Sequence, residues 1–272
     1  MARTNRRRPD PRARTEARRG QAAGVARALA RALMAVGVVG GVFAGVIGLY
    51  LWLTTSPRFA VAEVHVQGNQ RAQLATLAPL TGVKRGSNIF LIDTDAARQR
   101  LEGHPWIRRA SVSTELPQRL RVVVDEHVPE ALVSLNGLYL VSDRAEVFKR
   151  ASPGDPLDLP VITGVAWEGR PRAELEAELA EGLSVIRTYG KSPVSLRATL
   201  AEVHHDPVRG FRLIVSPQKG EWKRLAVHLG REGVEDRLSR LDGLMVALSQ
   251  RGERPSEVFL DNGSRPEWVV VR

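Results

Sequence analysis

The chain has 272 residues, no cysteine and a formal net charge of +10, from 40 Lys and Arg against 30 Asp and Glu. The lack of cysteine excludes disulfides, thiol catalysis and thiolate metal sites, so stability has to come from ordinary hydrophobic cores. Ten arginines and two acids within residues 1–31 contribute +8 of the +10, and the nearly neutral remainder argues against a basic nucleic-acid-binding fold.

Residues 32–57 form an apolar run without a charged side chain. As an α-helix rising about 1.5 Å per residue, this run is about 39 Å long and exceeds the roughly 30 Å hydrocarbon core of a bilayer. The arginines precede it and only Arg58 follows closely, so the positive-inside bias places the N-terminus in the cytoplasm. Tyr50 and Trp52 lie near the other end, where aromatic rings favour the membrane interface. We therefore predict a cytoplasmic Arg-rich tail over 1–31, a transmembrane helix over 32–57 and an extracytoplasmic remainder.

A cleaved secretory signal is the alternative interpretation, because Ala60-Val61-Ala62 matches the small-x-small cleavage pattern. Signal peptides have a hydrophobic region of about 7 to 15 residues after a short basic stretch, and both parts are longer in this chain. This favours an uncleaved anchor. Gly37, Gly41 and Gly45 are four residues apart, so one helix face is smooth enough for pairing with a second helix in the membrane.

The segment 58–127 has the pattern of a small β-α-α-β-β domain. Alternating apolar and polar residues indicate three half-buried strands, and apolar residues at helical spacing indicate two short helices after the first strand. The short connection Leu116-Pro117-Gln118 predicts that the last two strands form a hairpin. The predicted strands are 63–67, 107–115 and 119–125, and the predicted helices are 74–78 and 94–102.

The remaining residues, 128–272, predict a mixed, mostly antiparallel β domain with packed helices, so the chain as a whole belongs to the α+β class. Asn136-Gly137 between two apolar runs is a strong hairpin signal. Two stripes of apolar residues at helical spacing predict helices, and alternating runs predict strands around them. The helical stripes are Leu175 to Ile186 and Val234 to Leu248, and the further strands are 196–203, 211–215, 225–229, 258–260 and 268–271.

No motif in the chain predicts catalysis, a cofactor or a metal. Gly190-Lys191-Ser192 has the end of a phosphate-binding loop, but Val185 stands where the first glycine is required. The six histidines show no metal-ligand spacing, and the Gly-x-Ser-x-Gly nucleophile motif is absent. We therefore expect a non-enzymatic protein.

Four segments, in order, carry a likeness to one family of bacterial proteins. They are Phe59-x-x-x-x-Val64-x-Val66-x-Gly68-Asn69, Gly86-x-Asn88-Ile89-Phe90-x-Ile92-Asp93, Leu101-Glu102-x-His104-Pro105-Trp106-Ile107-x-x-Ala110-x-Val112 and Leu116-Pro117-x-x-Leu120-x-Val122-x-Val124-x-Glu126-x-x-Pro129-x-Ala131. With the tail and anchor, they resemble the FtsQ/DivIB cell division family, in which a polypeptide-transport-associated (POTRA) domain follows a single membrane helix. Val227-x-Leu229-Gly230 and the helix after it are similar to the C-terminal domain of that family.

The resemblance implies a divisome scaffold at the septum, in the cytoplasmic (inner) membrane of a bacterium, with its C-terminus in the periplasm. It implies binding to FtsB and FtsL, contacts of the POTRA domain with other division proteins, and a role in recruiting and regulating the septal peptidoglycan synthase. The family binds FtsB through its last sheet region, where a terminal strand leaves an edge that another chain can extend. Strand pattern and family region together give the expected partner-binding residues: Val258, Leu260, Trp268 and Val270.

Two other classes of function remain as alternatives. A membrane-tethered envelope enzyme, such as a peptidoglycan hydrolase, is disfavoured because no catalytic motif is present, although scattered carboxylates can pair in space. A POTRA-type protein-transport chaperone is disfavoured because such proteins usually carry a barrel, and the chain has no succession of ten-residue alternating strands.

Overall fold

A computed structural model describes residues 11–217, 224–262 and 269–272, with side chains of the first helix described from residue 27 onward. The first element, α1, is a continuous helix over Pro11–Thr55 and therefore begins inside the predicted Arg-rich tail. Its part Arg27–Thr55 is long and apolar enough to cross a membrane, and none of its apolar stretch is buried in the protein. The helix ends before Ser56, which is extended because Pro57 follows it.

Three strands and two α-helices follow α1, in the order that the sequence predicts. The strands form one sheet in the order β1-β3-β2, and the neighbouring strands β2 and β3 are joined by a three-residue connection, as expected for a hairpin. The elements are β1 (Glu63–Gln67), α2 (Leu74–Leu80), α3 (Thr94–Glu102), β2 (Ile107–Glu115) and β3 (Arg119–Glu126). The predicted β-α-α-β-β fold of this segment is confirmed.

Burial in this segment follows the sequence periodicity. Ala97 and Leu101, four residues apart on α3, are fully buried, so one face of this helix is turned to the interior. On β3, Leu120, Val122 and Val124 are buried and the residues between them are exposed. The period of two therefore assigns one face of β3 to the core and the other to solvent.

The turn after β1 depends on a glycine and a carboxylate. Gly68 has a φ of +87°, and a Cβ at this position would lie 2.1 Å from the carbonyl oxygen of Val124. The Glu126 carboxylate accepts hydrogen bonds from the backbone N–H groups of residues 70–72 at 2.9 to 3.0 Å. These contacts hold the connection between β1 and α2 against the end of β3.

From residue 129 onward, the described residues form a nine-stranded sheet with two long helices. Five of the eight neighbouring strand pairs are antiparallel, in agreement with the predicted mostly antiparallel domain. The strands are β4 (Pro129–Ser134), β5 (Leu138–Ser142), β6 (Val147–Arg150), β7 (Val161–Thr163), β8 (Ala198–Asp206), β9 (Gly210–Pro217), β10 (Leu225–Gly230), β11 (Glu257–Phe259) and β12 (Val270–Val271), and the helices are α4 (Arg172–Lys191) and α5 (Val234–Arg251). The sheet order is β12-β11-β10-β9-β8-β7-β4-β5-β6.

Two of the parallel pairs are connected through helices. The chain passes from β7 through α4 to the parallel neighbour β8, and from β10 through α5 to the parallel neighbour β11. Parallel neighbours require such a crossover, because a tight turn reverses the chain direction. The second crossover places β11 between β10 and the last strand, β12.

Both long helices bury apolar side chains against the sheet. Leu179 and Leu183 of α4 pack in one core cluster with Ile162 of β7. Leu238 of α5 packs in a second cluster with Val258 of β11, and further residues of α4 join it. The two helices therefore share core clusters with strands β4, β5 and β7 to β11.

The stability of this core depends on pH through Tyr189 on α4. Its side chain is 3% exposed and its hydroxyl donates a hydrogen bond to the Ala198 carbonyl oxygen at 2.8 Å. Burial raises the pKa of Tyr189 far above its usual range. The folded state therefore keeps the phenolic proton, and this contribution is fully present below pH ~10, where an unfolded tyrosine ionises, and is lost as pH rises.

Tyr189→Phe is expected to cost about 1 kcal/mol of the free energy of unfolding at pH 7, because the Ala198 carbonyl loses this donor. By pH 11 the difference from wild type should shrink toward zero, since ionisation in the unfolded state costs the wild type about 1.4 kcal/mol per pH unit and the variant nothing. Urea unfolding at both pH values measures this. A constant difference would contradict the assigned pKa shift.

Candidate functional site

The last strand, β12, lies at one end of the nine-stranded sheet. It pairs antiparallel with β11, where Val258 faces Val271 and Phe259 faces Val270. Within residues 11–217, 224–262 and 269–272, β11 is the only strand beside it. The other side of β12 is therefore an open sheet edge in the described structure.

The hydrogen bonds of this pair show which backbone groups face outward. Glu257 and Arg272 exchange two bonds, at 3.1 and 3.0 Å. Bonded and non-bonded pairs alternate along an antiparallel ladder, so Val270 bonds to Phe259 and Val271 sits in a non-bonded pair. The N–H and C=O groups of Val271 consequently point away from β11. They are the backbone groups that an added strand would use.

The four predicted partner-binding residues occupy different environments. Val258 and Leu260 are 0% exposed and pack in the core under α5, whereas the Val270 side chain is 43% exposed. Trp268 lies outside the described residues. A docking surface built from all four side chains does not fit this burial, because Val258 and Leu260 are enclosed by their own sheet and helix. Their structural role is to hold β11 in place behind β12.

A row of cross-strand neighbours, most of them aromatic or basic, crosses the sheet to its edge at β12. Phe259, the cross-strand neighbour of Val270, stacks on His228 with ring centroids 4.2 Å apart and an interplanar angle of 7°. The Arg272 guanidinium lies 5.7 Å from the Phe259 ring centroid. In register, the row runs Thr163, His204, Arg212, His228, Phe259 and Val270 over six strands.

Part of this row lines a small cavity, and its His228 side chain is uncharged at neutral pH. Burial lowers the pKa of His228, and the nearby Asp261 carboxylate opposes this shift. The imidazole is therefore neutral at pH 7 and stacks on Phe259 without burying a charge. The cavity beside it, of 90 Å³, is lined by His204, Asp206, Arg209, Gly210, Phe211, Arg212, His228 and Asp261.

Sequence reasoning missed this row although it predicted most of its strands. Alternation shows which residues share a face of one strand, but it does not say which strands are neighbours. A signal for the order was present in the succession of β10, α5 and β11, because a strand, a helix and a strand predict a parallel crossover. That crossover makes β11 an interior strand and β12 the edge.

The structure describes two further parts of the chain that bear on function. Gly37, Gly41 and Gly45 lie on α1, and a Cβ at any of them would meet nothing within 4 Å. This face is open in the single chain. Among the described residues there is no group of three or more His, Asp or Glu that could hold a metal ion.

Two family models match consecutive parts of this chain. A model described as POTRA domain, FtsQ-type, matches residues 59–127. A model described as cell division protein FtsQ/DivIB, C-terminal, matches residues 131–259. The two matches together span the three-stranded sheet and all of the nine-stranded sheet except β12 and part of β4.

Curated relatives match over most of their length. The cell division protein FtsQ of Anaeromyxobacter sp. (strain K) is 42% identical over 218 residues, which are 78% of this chain and 71% of that protein. FtsQ of Myxococcus fulvus is 35% identical over 81% of this chain and 76% of its own length, and FtsQ of Syntrophotalea carbinolica is 38% identical over 73% and 70%. With an apolar helix, a β-α-α-β-β domain and a helix-covered mixed sheet in the matching order, the chain belongs to the FtsQ/DivIB family of cell division proteins.

Proposed function

We propose that this protein is a non-catalytic divisome scaffold that binds FtsB- and FtsL-type proteins and helps to recruit and regulate septal peptidoglycan synthesis. It is anchored in the cytoplasmic (inner) membrane by α1, as a single-pass type II protein with its N-terminus in the cytoplasm and its C-terminus in the periplasm, at the division septum. The observation that carries the partner-binding part is the open edge of β12, with the backbone of Val271 directed away from its own sheet.

The open edge supports binding by strand addition. An incoming strand gains main-chain hydrogen bonds at such an edge, and side chains on both faces of the sheet give specificity. Val270 lies on the face of Phe259, and Val271 lies on the face of the buried Val258. Both are partly exposed, at 43% and 38%, so an added strand covers apolar side chains on either face. Trp268 is proposed to extend this surface, since it stands two positions before Val270 in the chain.

The other parts of the chain support the same scaffold function. The POTRA domain is proposed to contact further divisome members, because residues 59–127 match the FtsQ-type POTRA domain of a family of cell division proteins. The face of Gly37, Gly41 and Gly45 is proposed to pair with a partner helix in the membrane, because small side chains allow close approach of two helices.

Depletion of the protein in its host tests the proposal. Filamentous cells without completed septa are expected, and the wild-type gene supplied in trans should restore division. A version that lacks residues 269–272 should fail to restore it at equal protein level, because β12 is lost. Imaging of septa and of newly inserted cell wall measures both results. Normal septation after depletion would refute the divisome function.

A further inference from the structure

A short turn of the POTRA domain is attached to the end of the membrane helix. This turn, the 3₁₀ segment Ile89–Leu91, belongs to the same compact unit of the chain as α1. The Asn88 side chain links them: its amide nitrogen donates to the Leu53 carbonyl oxygen at 2.8 Å, and its oxygen accepts from the Phe90 N–H at 3.0 Å. The turn is therefore held at the level of the last turn of α1.

The Leu53 bond matters because of where this carbonyl lies. The last four carbonyls of a helix have no partner within the helix, and a membrane does not supply one in its apolar region. The Trp52 carbonyl accepts from the Ser56 N–H at 3.0 Å, and the Leu53 carbonyl accepts from Asn88. The end of the span is thus capped by the POTRA domain itself.

A line of aromatic rings runs from the helix to the turn. The ring centroids of Trp52 and Phe59 are 5.7 Å apart, and those of Phe59 and Phe90 are 5.1 Å apart. Trp52 lies in the last turn of the span, where tryptophan side chains favour the headgroup region. Phe90 is consequently linked to the last turn of α1 through two ring contacts.

The connection is fixed by the backbone as well as by side chains. The Val61 N–H donates to the Ser87 carbonyl at 2.8 Å, and the Gly86 N–H donates to the Val61 carbonyl at 3.0 Å. Ala60 and Asn88 form an isolated antiparallel bridge. The chain leaving α1 and the loop before the turn therefore move together.

The turn divides its side chains between the core and the outside. Ile89 is 2% exposed and anchors the turn, whereas Phe90 is 47% and Leu91 is 62% exposed. Lys84 and Arg85, in the loop before the turn, are also exposed. Two exposed large apolar side chains and two exposed basic ones within eight consecutive residues match the composition of a segment at the boundary between acyl chains and phosphate headgroups.

We propose that Phe90 and Leu91 form a membrane foot, inserted into the headgroup and acyl boundary of the bilayer in which α1 is anchored. Lys84 and Arg85 lie at the lipid phosphates. The foot holds the turn Ile89–Leu91 and the loop before it at the membrane surface. This inference rests on the proposed membrane anchoring of α1.

The absence of cysteine from the chain permits a direct test. Single variants Leu91→Cys, Val39→Cys and Val208→Cys of the full chain are labelled with an environment-sensitive fluorophore and reconstituted into phosphatidylcholine and phosphatidylglycerol vesicles. Val39 lies within the span, and Val208 is 91% exposed on the β8–β9 turn. Quenching by lipids that carry a shallow or a deep spin label is compared with quenching by aqueous iodide.

The label at position 91 is expected to be quenched by the shallow lipid at least twofold more than the label at 208, and by iodide at least twofold less. Iodide quenching at 91 equal to that at 208 overturns the foot, provided that the label at 39 is quenched by the deep lipid. Failure of the label at 39 to respond to the deep lipid overturns the anchoring itself.

Asn88→Asp provides a matched variant. The carboxylate still accepts the Phe90 N–H but has no hydrogen to donate to the Leu53 carbonyl. Iodide quenching at position 91 should rise at least twofold in this background, while the label at 39 keeps its response. Unchanged quenching at 91 would overturn the assignment of Asn88 as the group that holds the foot.

Discussion

Val271→Pro is expected to lower the affinity for an FtsB-type partner by roughly 10- to 100-fold, because the proline removes the backbone donor directed at an added strand and leaves a partner carbonyl unpaired. The pairing of β12 with β11 does not use this N–H, since Val271 sits in a non-bonded pair. Proline is tolerated on edge strands for this reason. Affinity is measured by interferometry with the full chain in detergent and the purified partner.

Val271→Ala is the matched control, since it shortens the side chain and keeps the backbone donor. It should retain most of the affinity. Val270→Pro tests the register itself: the Val270 N–H bonds to Phe259, so this variant should detach β12 from its own sheet. Equal affinities of Val271→Pro and Val271→Ala would show that the partner does not add a strand at this edge.

Gly68→Ala is expected to destabilise the POTRA domain by about 3 kcal/mol or more, by the size of steric effects at constrained backbone positions. A Cβ there would lie 2.1 Å from the Val124 carbonyl oxygen, in the middle strand of the three-stranded sheet. Neither backbone can move without breaking β1 or β3 pairing. The midpoint of urea unfolding in detergent measures the loss.

Gly86→Ala is the control that separates the cost of steric crowding from the cost of a positive φ. Gly86 has a φ of +88°, close to the +87° of Gly68, but a Cβ there would meet nothing within 4 Å. It should therefore cost only the intrinsic penalty of the left-handed conformation, about 1 to 2 kcal/mol. The same loss of stability in both variants would mean that the contact with Val124 adds nothing.

The elements of this chain were predictable because their periodicities are strong. The apolar stripe of Val234, Leu238 and Leu241 predicted α5, and the alternation of Leu120, Val122 and Val124 predicted β3, since burial selects one face of each element. The structure differs from the prediction where the sequence has no hydrophobic periodicity. The helix α1 begins in the Arg-rich tail, which has no apolar stripe to announce it.

The environment of the four proposed partner-binding residues was predictable only in part. Val258 and Val270 both belong to short apolar strands near the end of the chain, and sequence alone makes them equivalent candidates. In the fold, the crossover through α5 places Val258 in the core and leaves Val270 at the edge. The backbone N–H and C=O of Val271 point outward because Val271 sits in a non-hydrogen-bonded pair with Val258. Which pairs are hydrogen-bonded cannot be read from the pattern of side chains.

The sequence by itself determined the helix that is long and apolar enough to cross a membrane, the order of the elements and the family, because hydrophobic length and local periodicity are properties of short segments. The order of strands in the sheet, the position of β12 at its end among the described strands and the attachment of the turn Ile89–Leu91 to the end of α1 were decided only by the tertiary structure. These features join residues far apart in the chain, and they depend on which packing buries the most apolar surface while pairing the backbone groups.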